Sequence, residues 1–587
     1  MAINPVEQLE DRRHLSASAA LQPSLSVPVN AAAVSVNAAA TPTAGALSAA
    51  DVETILAQAG SQARPGQAVA VVDREGTVLG LFVRSGGDPA EQETIVSLAI
   101  QRARTAAAFQ SDQNAFTTRT ARFIIQNHFP FPVRKTPGGP LYGVEFSSFP
   151  GSDVLLPEYR TGISGDPGGV PLYLQKIPVG GIGVAGDGRD RAPTAELRDT
   201  LIGLEGSYGA RAITRTFDGR EERDVDEAVA IAGSRGYATP QSIRSTHIFL
   251  DGLRLPFTTS SRAKGKPQLA LADLITGGTG TLVAAPGAGK ADATVIGGTP
   301  RLTNGEVAGI AGLFRNRQAT GATAPQEATR TPINALIDSN DAAATRLTAD
   351  DVLTIMTNAV QQAIVTRAGI RKPNGATAQV HIVVVDRDGD VLGAFRMADG
   401  TNFSYDVAVQ KARTATFFSD DSHAISTRAV GFASQKFFPP GIETGIPGPL
   451  FQLQDNITFN LANLQDGPLK NGITVFPGGV PLYKDGQLVG GVGVSGDGVD
   501  QDDLIAFAGE TGFRPDDNIR SDHADSDSLA NRLITQATAL ANDAGMPIGA
   551  GGGSFDPETA RRRLTSGLNE VRLPYVKFPR NPLERRH

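Results

Sequence analysis

His247 and His523 close two matching hexapeptides, SIRSTH at Ser242–His247 and NIRSDH at Asn518–His523. An imidazole can ligate a metal or the iron of haem, so the pair is a candidate axial position. Each follows an arginine, Arg244 or Arg520, and the competing reading is a polar residue that anchors a C-terminal segment. Arg104 and Arg413 recur in RARTAAAF (Arg102–Phe109) and KARTATFF (Lys411–Phe418). A guanidinium there can grip a carboxylate through paired bonds, or simply reach solvent from a packed helix. Tyr173 and Tyr483 end two identical PGGVPLY segments. Each is either a strand residue with a satisfied hydroxyl or a ligand for ferric haem.

Gly181 and Gly183 lie in VGGIGVAGDG (Val179–Gly188), and Gly491 and Gly493 in VGGVGVSGDG (Val489–Gly498). Both runs satisfy GxGxxG. A dinucleotide fingerprint needs that pattern between a first strand and its helix, whereas these runs alternate like a strand late in the domain. Glycines in a strand allow close approach by a helix or by a flat ligand.

Other chemistry is weaker. Asp386, Asp388 and Asp390 have the alternation of a calcium loop, but the glycine is too early and the closing glutamate is missing, so a hairpin turn is expected. AAPGAGKA (Ala284–Ala291) lacks the first glycine and the hydroxyl of a phosphate loop. His128 has Lys436 as its counterpart, so any role it has is not shared by both halves. No Ser-His-Asp set or carboxylate pair can be assembled from the sequence alone. The absence of cysteine excludes disulfides, thiol nucleophiles and Cys-ligated metal. A net charge of −7 with interspersed signs argues against nucleic acid as a partner. No apolar run is long enough to span a membrane.

The elements that must position these residues occur twice. AVAVVDREGTVLGLFVR (Ala68–Arg84) is matched by VHIVVVDRDGDVLGAFRM (Val380–Met397), and RLPF (Arg254–Phe257) by RLPY (Arg572–Tyr575). With the segments above, the matches keep one order in both halves, so the 587-residue chain is a tandem duplication. Each half starts with a near capping box, Ser48 with Asp51 or Thr348 with Asp351, before apolar residues at helical spacing. Strand–turn–strand, an Ala-rich helix, a second hairpin and a last helix follow. The expected fold is α+β: two tandem profilin- or PAS-like α/β/α domains, each with an antiparallel sheet of about five strands flanked by helices. The expected divisions are 1–47, a disordered export-associated segment; 48–257, the first domain; 258–346, a Gly/Ala/Pro-rich irregular arm and linker; and 347–587, the second domain with an insert at about 525–570. A further insert is expected in the first half around Arg191–Asp224.

VVDRDGDVLGAFRM, KARTATFF and PGGVPLYKDGQLVGGVGVSGDG, with a helix ending in GETGF, resemble the GlcG/HbpS-like haem-binding family. That family includes the corrinoid-associated domain of some cobalamin adenosyltransferases. The resemblance covers most of 48–257 and 347–524, and its motifs fall on Arg104, Arg413 and the two Gly-rich strands. It implies a self-associating domain that binds haem or a related tetrapyrrole, with haem breakdown in some members. The expected function is therefore non-catalytic haem storage or sensing. The alternatives are a structural surface module without cofactor, in which the repeats pair within the chain or as a homo-oligomer, and a haem-degrading enzyme. VEQLEDRRHLSA (Val6–Ala17) partly resembles a Leu-Glu-Pro-Arg-x-Leu-Leu motif of exported bacterial proteins. An exported or surface location is expected on that basis, and a cytoplasmic one otherwise.

Overall fold

The computed structural model describes residues 46–124, 164–187, 224–250, 253–259, 268–283, 302–315, 336, 338–434, 448–451, 453, 467–550, 554–570 and 572–577. The first repeat opens with α1 (Ala49–Gly60). Ser48 Oγ accepts the Asp51 amide at 3.2 Å, and the Asp51 carboxylate accepts the Ser48 amide at 2.8 Å. Two amides that a first turn leaves unpaired are thereby satisfied. Val52, Ile55, Leu56 and Ala59 are buried, as their spacing requires.

β1 (Ala68–Asp73) and β2 (Val78–Arg84) form the first hairpin. The Asp73 carboxylate folds back on the turn and accepts the amides of Glu75 at 2.9 Å and Thr77 at 2.8 Å. Gly76 takes a φ of 82°, a conformation that disfavours any residue with a Cβ. There follow α2 (Gln92–Ala108), α3 (Thr118–Ile124), β3 (Gly169–Leu174), β4 (Ile177–Ala185) and α4 (Val225–Gly233). Then come a small ribbon of β5 (Phe249–Leu250) and β6 (Leu253–Arg254), α5 (Leu271–Thr276) and β7 (Gly280–Leu282). The sheet order is β3-β4-β1-β2-β7, antiparallel throughout. α2 lies on one face against β4, β1 and β3, while α1 and α4 cover the other with α5 beside α1.

β8 (Leu302–Val307) and β9 (Ile310–Arg315) precede the second copy of this order. That copy comprises α6 (Ala349–Ala363), β10 (His381–Val385), β11 (Val391–Met397), α7 (Ser404–Phe418), α8 (Thr427–Ala433), β12 (Gly479–Lys484), β13 (Gln487–Ser495) and α9 (Val499–Gly509). Its sheet order is β12-β13-β10-β11-β9-β8. Two antiparallel sheets with helices on both faces are the α+β architecture that the duplicated pattern implies.

One expectation is corrected. The Gly-rich stretch read as an irregular arm adds outer strands to each sheet, β7 on β2, and β9 on β11 with β8 beyond it. Its glycines answer a packing demand: a Cβ on Gly280 would lie 2.1 Å from the Phe82 ring, and one on Gly312 would lie 2.3 Å from the Phe395 ring. The region around 525–570 holds α10 (Ser526–Asp543) and α11 (Pro557–Glu570), which pack on each other. The N-terminal segment to residue 45, residues 191–223 and His128 lie outside the described residues.

The closest approach of helix to sheet is at the Gly-rich strands. A Cβ on Gly183 would sit 2.1 Å from the Ala99 carbonyl oxygen, and one on Gly493 would sit 2.0 Å from that of Ala408. Both neighbours are backbone, so neither can rotate away. Gly493→Ala is expected to lift α7 from its sheet and cost at least the ~1–3 kcal/mol of an overpacked core. A urea midpoint unchanged from the parent chain would contradict this packing.

The repeats meet end to end. Glu75, at the first hairpin's tip, is buried against Arg396 at 3.1 Å. Arg74 pairs with Asp399 at 3.3 Å, and its carbonyl accepts the Asn402 side chain. The corresponding tip residues of the second hairpin, Arg387 and Asp388, are exposed. Different patches of the two copies are therefore in contact, which makes the interface heterologous rather than a pseudo-dimer. Its apolar part joins Ala108, Phe109, Phe116, Ile248 and Leu255 to Val407 and Phe476. The rings of Phe109 and Phe403 are 4.4 Å apart, and the Phe403 amide donates to the Ala108 carbonyl at 3.3 Å. Its polar part centres on Arg371, which bridges Asp497 and Asp399. Asp399 also accepts the Asp112 amide at 2.8 Å.

Candidate functional site

A groove of about 580 Å³ opens where the end of the first repeat faces the second. His247, Ile243, Phe249 and Arg254 line it from one side, and Lys372 and Pro373 from the other. The histidine is displayed by its neighbours. Ser245 is buried and its hydroxyl donates to the Pro256 carbonyl at 2.6 Å, pinning the turn. Arg244 donates to the Thr239 carbonyl at 3.1 Å and lies 5.1 Å from the Phe257 ring centre. With the turn held by Ser245 and Arg244, the His247 imidazole stays exposed on the groove wall. Phe249 is 57% exposed, with the Arg254 guanidinium 5.2 Å from its ring centre. The Lys372 ammonium reaches Asn374 at 2.8 Å.

The other sequence-selected residues occupy different places. Arg104 Nε donates to the Gly76 carbonyl at 3.0 Å, and Arg413 Nε donates to the Gly389 carbonyl at 2.7 Å. Both arginines are buried and tie the central helix to the hairpin turn; Arg413 also reaches Asn471 at 2.8 Å. The Tyr173 hydroxyl donates to the Ser111 carbonyl at 2.8 Å, and that of Tyr483 to the Asp420 carbonyl at 2.7 Å. Burial pushes both phenols above their ordinary range, so they remain protonated donors. Gly181, Gly183, Gly491 and Gly493 face the backbone of α2 or α7. His523 is 51% exposed and lies 3.9 Å from Asp522. The structure thus gathers the arginines and glycines around the central helix of each repeat, and His247 alone of the set lines the groove.

Phe249 and Lys372 carried no signal of their own in the sequence. Arg254 did, as the first residue of the RLPF/RLPY match. Among the described residues, Asp187, Asp224 and Asp226 bring carboxylate oxygens within 4.8 Å of one another. Burial raises Asp224 to about 6, and Arg102 pairs with Asp226 at 2.9 Å. The second repeat keeps that last contact as Lys411 with Asp502, also at 2.9 Å, which marks it as part of the shared framework.

The fold defines a class: a duplicated small α/β/α domain whose central helix rests on a glycine-lined antiparallel sheet. The chain belongs to the HbpS-like family, described as haem degrading protein HbpS-like, whose pattern matches residues 47–192 and 347–510. An uncharacterized 15.0 kDa protein of the dhaT-dhaS intergenic region of Citrobacter freundii is 36% identical over 123 residues, 21% of this chain and 68% of that one. The corrinoid adenosyltransferase PduO of Salmonella typhimurium is 28% identical over 141 residues, 24% of this chain. The chain spans 34% of that enzyme's length. Among solved structures, the PduOC:heme complex is 25% identical, covering 29% of this chain and 95% of that one with a TM-score of 0.20. HbpS is 26% identical, covering 28% and 89%, with a TM-score of 0.18. Among the described residues no helix is long and apolar enough to cross a membrane.

Proposed function

We propose that the chain binds haem or a related tetrapyrrole in the groove that carries His247, as a storage or sensing protein. The carrying observation is an exposed imidazole on the wall of a roughly haem-sized recess, flanked by Phe249, Pro373 and two cations. The donor set fits. His247 would hold the iron, Phe249 and Pro373 would supply apolar contact, and Arg254 and Lys372 would pair with the acid groups. Bound haem would supply redox and gas-binding chemistry at its iron; the protein's part is to orient it and neutralise its acid groups. Among the described residues no carboxylate or second imidazole lines the groove. The family description, which names haem, supports the same ligand. The partial motif at Val6–Ala17 supports an exported location.

Haemin titration of the purified chain tests the reading. A Soret shift is expected at one haem per chain. His247→Ala should weaken binding by about tenfold or more, while His523→Ala should leave it unchanged. A chain that gives no shift, or a shift indifferent to His247, would end this assignment.

A further inference from the structure

Sequence register places Phe417 at the position of Ala108, Phe418 at Phe109, Ile425 at Phe116, Val430 at Ala121 and Leu573 at Leu255. In the first repeat this patch is the one that holds the second repeat. In the second repeat Phe418, Ile425, Val430 and Leu573 are buried with Leu529, Leu533 and Leu564 of α10 and α11. The polar contacts correspond as well. The Ala108 carbonyl accepts the Phe403 amide at 3.3 Å; the Phe417 carbonyl accepts Arg532 at 3.2 Å and also Gln536. Arg371 reaches Ser111 at 3.4 Å, and Arg532 reaches Asp420, the residue equivalent to Ser111, at 3.2 Å.

We propose that α10 and α11 form an end cap, occupying on the second repeat the surface by which the first repeat grips its neighbour, and so stopping a head-to-tail contact at two units. A heterologous contact that neither closes nor is blocked adds copies without limit, and repeat arrays end in covered or polar faces. The opposite end of the pair is polar. The first repeat has Thr94 where the second offers Phe403, and Asp166 where it offers Phe476. Thr94 is exposed. Each copy's Phe403 face is taken by its own first repeat, so the face left to meet an uncovered patch is the Thr94 end of another copy of this chain. The inference is independent of the ligand.

The test replaces residues 525–570 of the full chain with the short link that the first repeat has at that place. Sedimentation should show mass rising with concentration in multiples of the chain. Thr94→Phe in the shortened chain should tighten association by about tenfold, since it adds a buried aromatic to the open face. Thr94→Glu should weaken association, and Thr94→Phe with the cap in place should leave the parent mass unchanged. Leu533→Asp, which lifts α10 in a full-length chain, is read by the same criteria if the shortened chain does not fold. A folded uncapped chain that keeps the parent mass even with Thr94→Phe overturns the proposal, as does association that ignores residue 94.

Discussion

Replacing Arg371 with methionine is expected to remove about 3–5 kcal/mol of stability and to let the two repeats unfold in separate steps. The side chain is fully enclosed, with Asp497 on one side and Asp399 on the other. Burial by itself would lower its pKa, but the two carboxylates hold it above the ordinary arginine value, so it is charged at every working pH. It also reaches across the interface to Ser111 at 3.4 Å and Gln113 at 3.5 Å. Removing it strands the Asp497 carboxylate in the interior, where an uncompensated charge is costly. Asp497→Asn in the same chain should recover part of the loss, because the stranded charge is then gone. Denaturation followed by circular dichroism and tyrosine fluorescence measures both effects; the chain has no tryptophan. A loss under about 1 kcal/mol, of the size of a surface pair, or strictly additive substitutions would contradict the bridging role.

Glu510→Gln is expected to act in the opposite direction, increasingly as pH rises above 4.5. Glu510 is 1% exposed and accepts the Tyr575 hydroxyl at 2.9 Å. Burial raises its carboxyl from 4.5 to about 8, against the pull of Tyr575, Arg514 and Arg520. The folded chain therefore holds this proton more tightly than the unfolded chain does. The resulting stability is complete below pH 4.5 and is lost as pH climbs through about 8. Glutamine mimics the neutral acid and never ionises. Parent and variant should match near pH 4.5, and above pH 8 the variant should be more stable by on the order of 3–5 kcal/mol. Melts at pH 5, 7 and 9 would show the curves diverging; parallel curves would mean that Glu510 is ionised in the folded chain. The first repeat has Ser234 at this position and should contribute no such slope.

The core of each repeat was legible because its signals are local. The capping pairs, the Asp-Arg-acidic-Gly turn and the alternation of the strands each specify structure within a few residues. The edge strands were not. Gly280–Leu282 is too short for a period, and it becomes a strand only because β2 offers a free edge far away in the chain. Pairing of the repeats was expected, but the residues that make the contact were not legible, since Ile370, Arg371 and Lys372 sit in a loop that has no counterpart in the first half. At the candidate site, the doubled histidine points to the turn that lines the groove. Phe249 and Lys372 became neighbours of His247 only through the packing of two repeats. The paired glycines signalled close approach without saying by what, and the structure places a helix backbone there.

The two hairpin tips now live under different rules. Arg74 and Glu75 are walled in by the other half of the protein, so nearly any exchange there disturbs a partner. Arg387 and Asp388, descended from the same pair, face water and are free to drift. Gene duplication gave one ancestral dipeptide two histories, and a survey of natural variants should find the first tip constrained and the second tolerant.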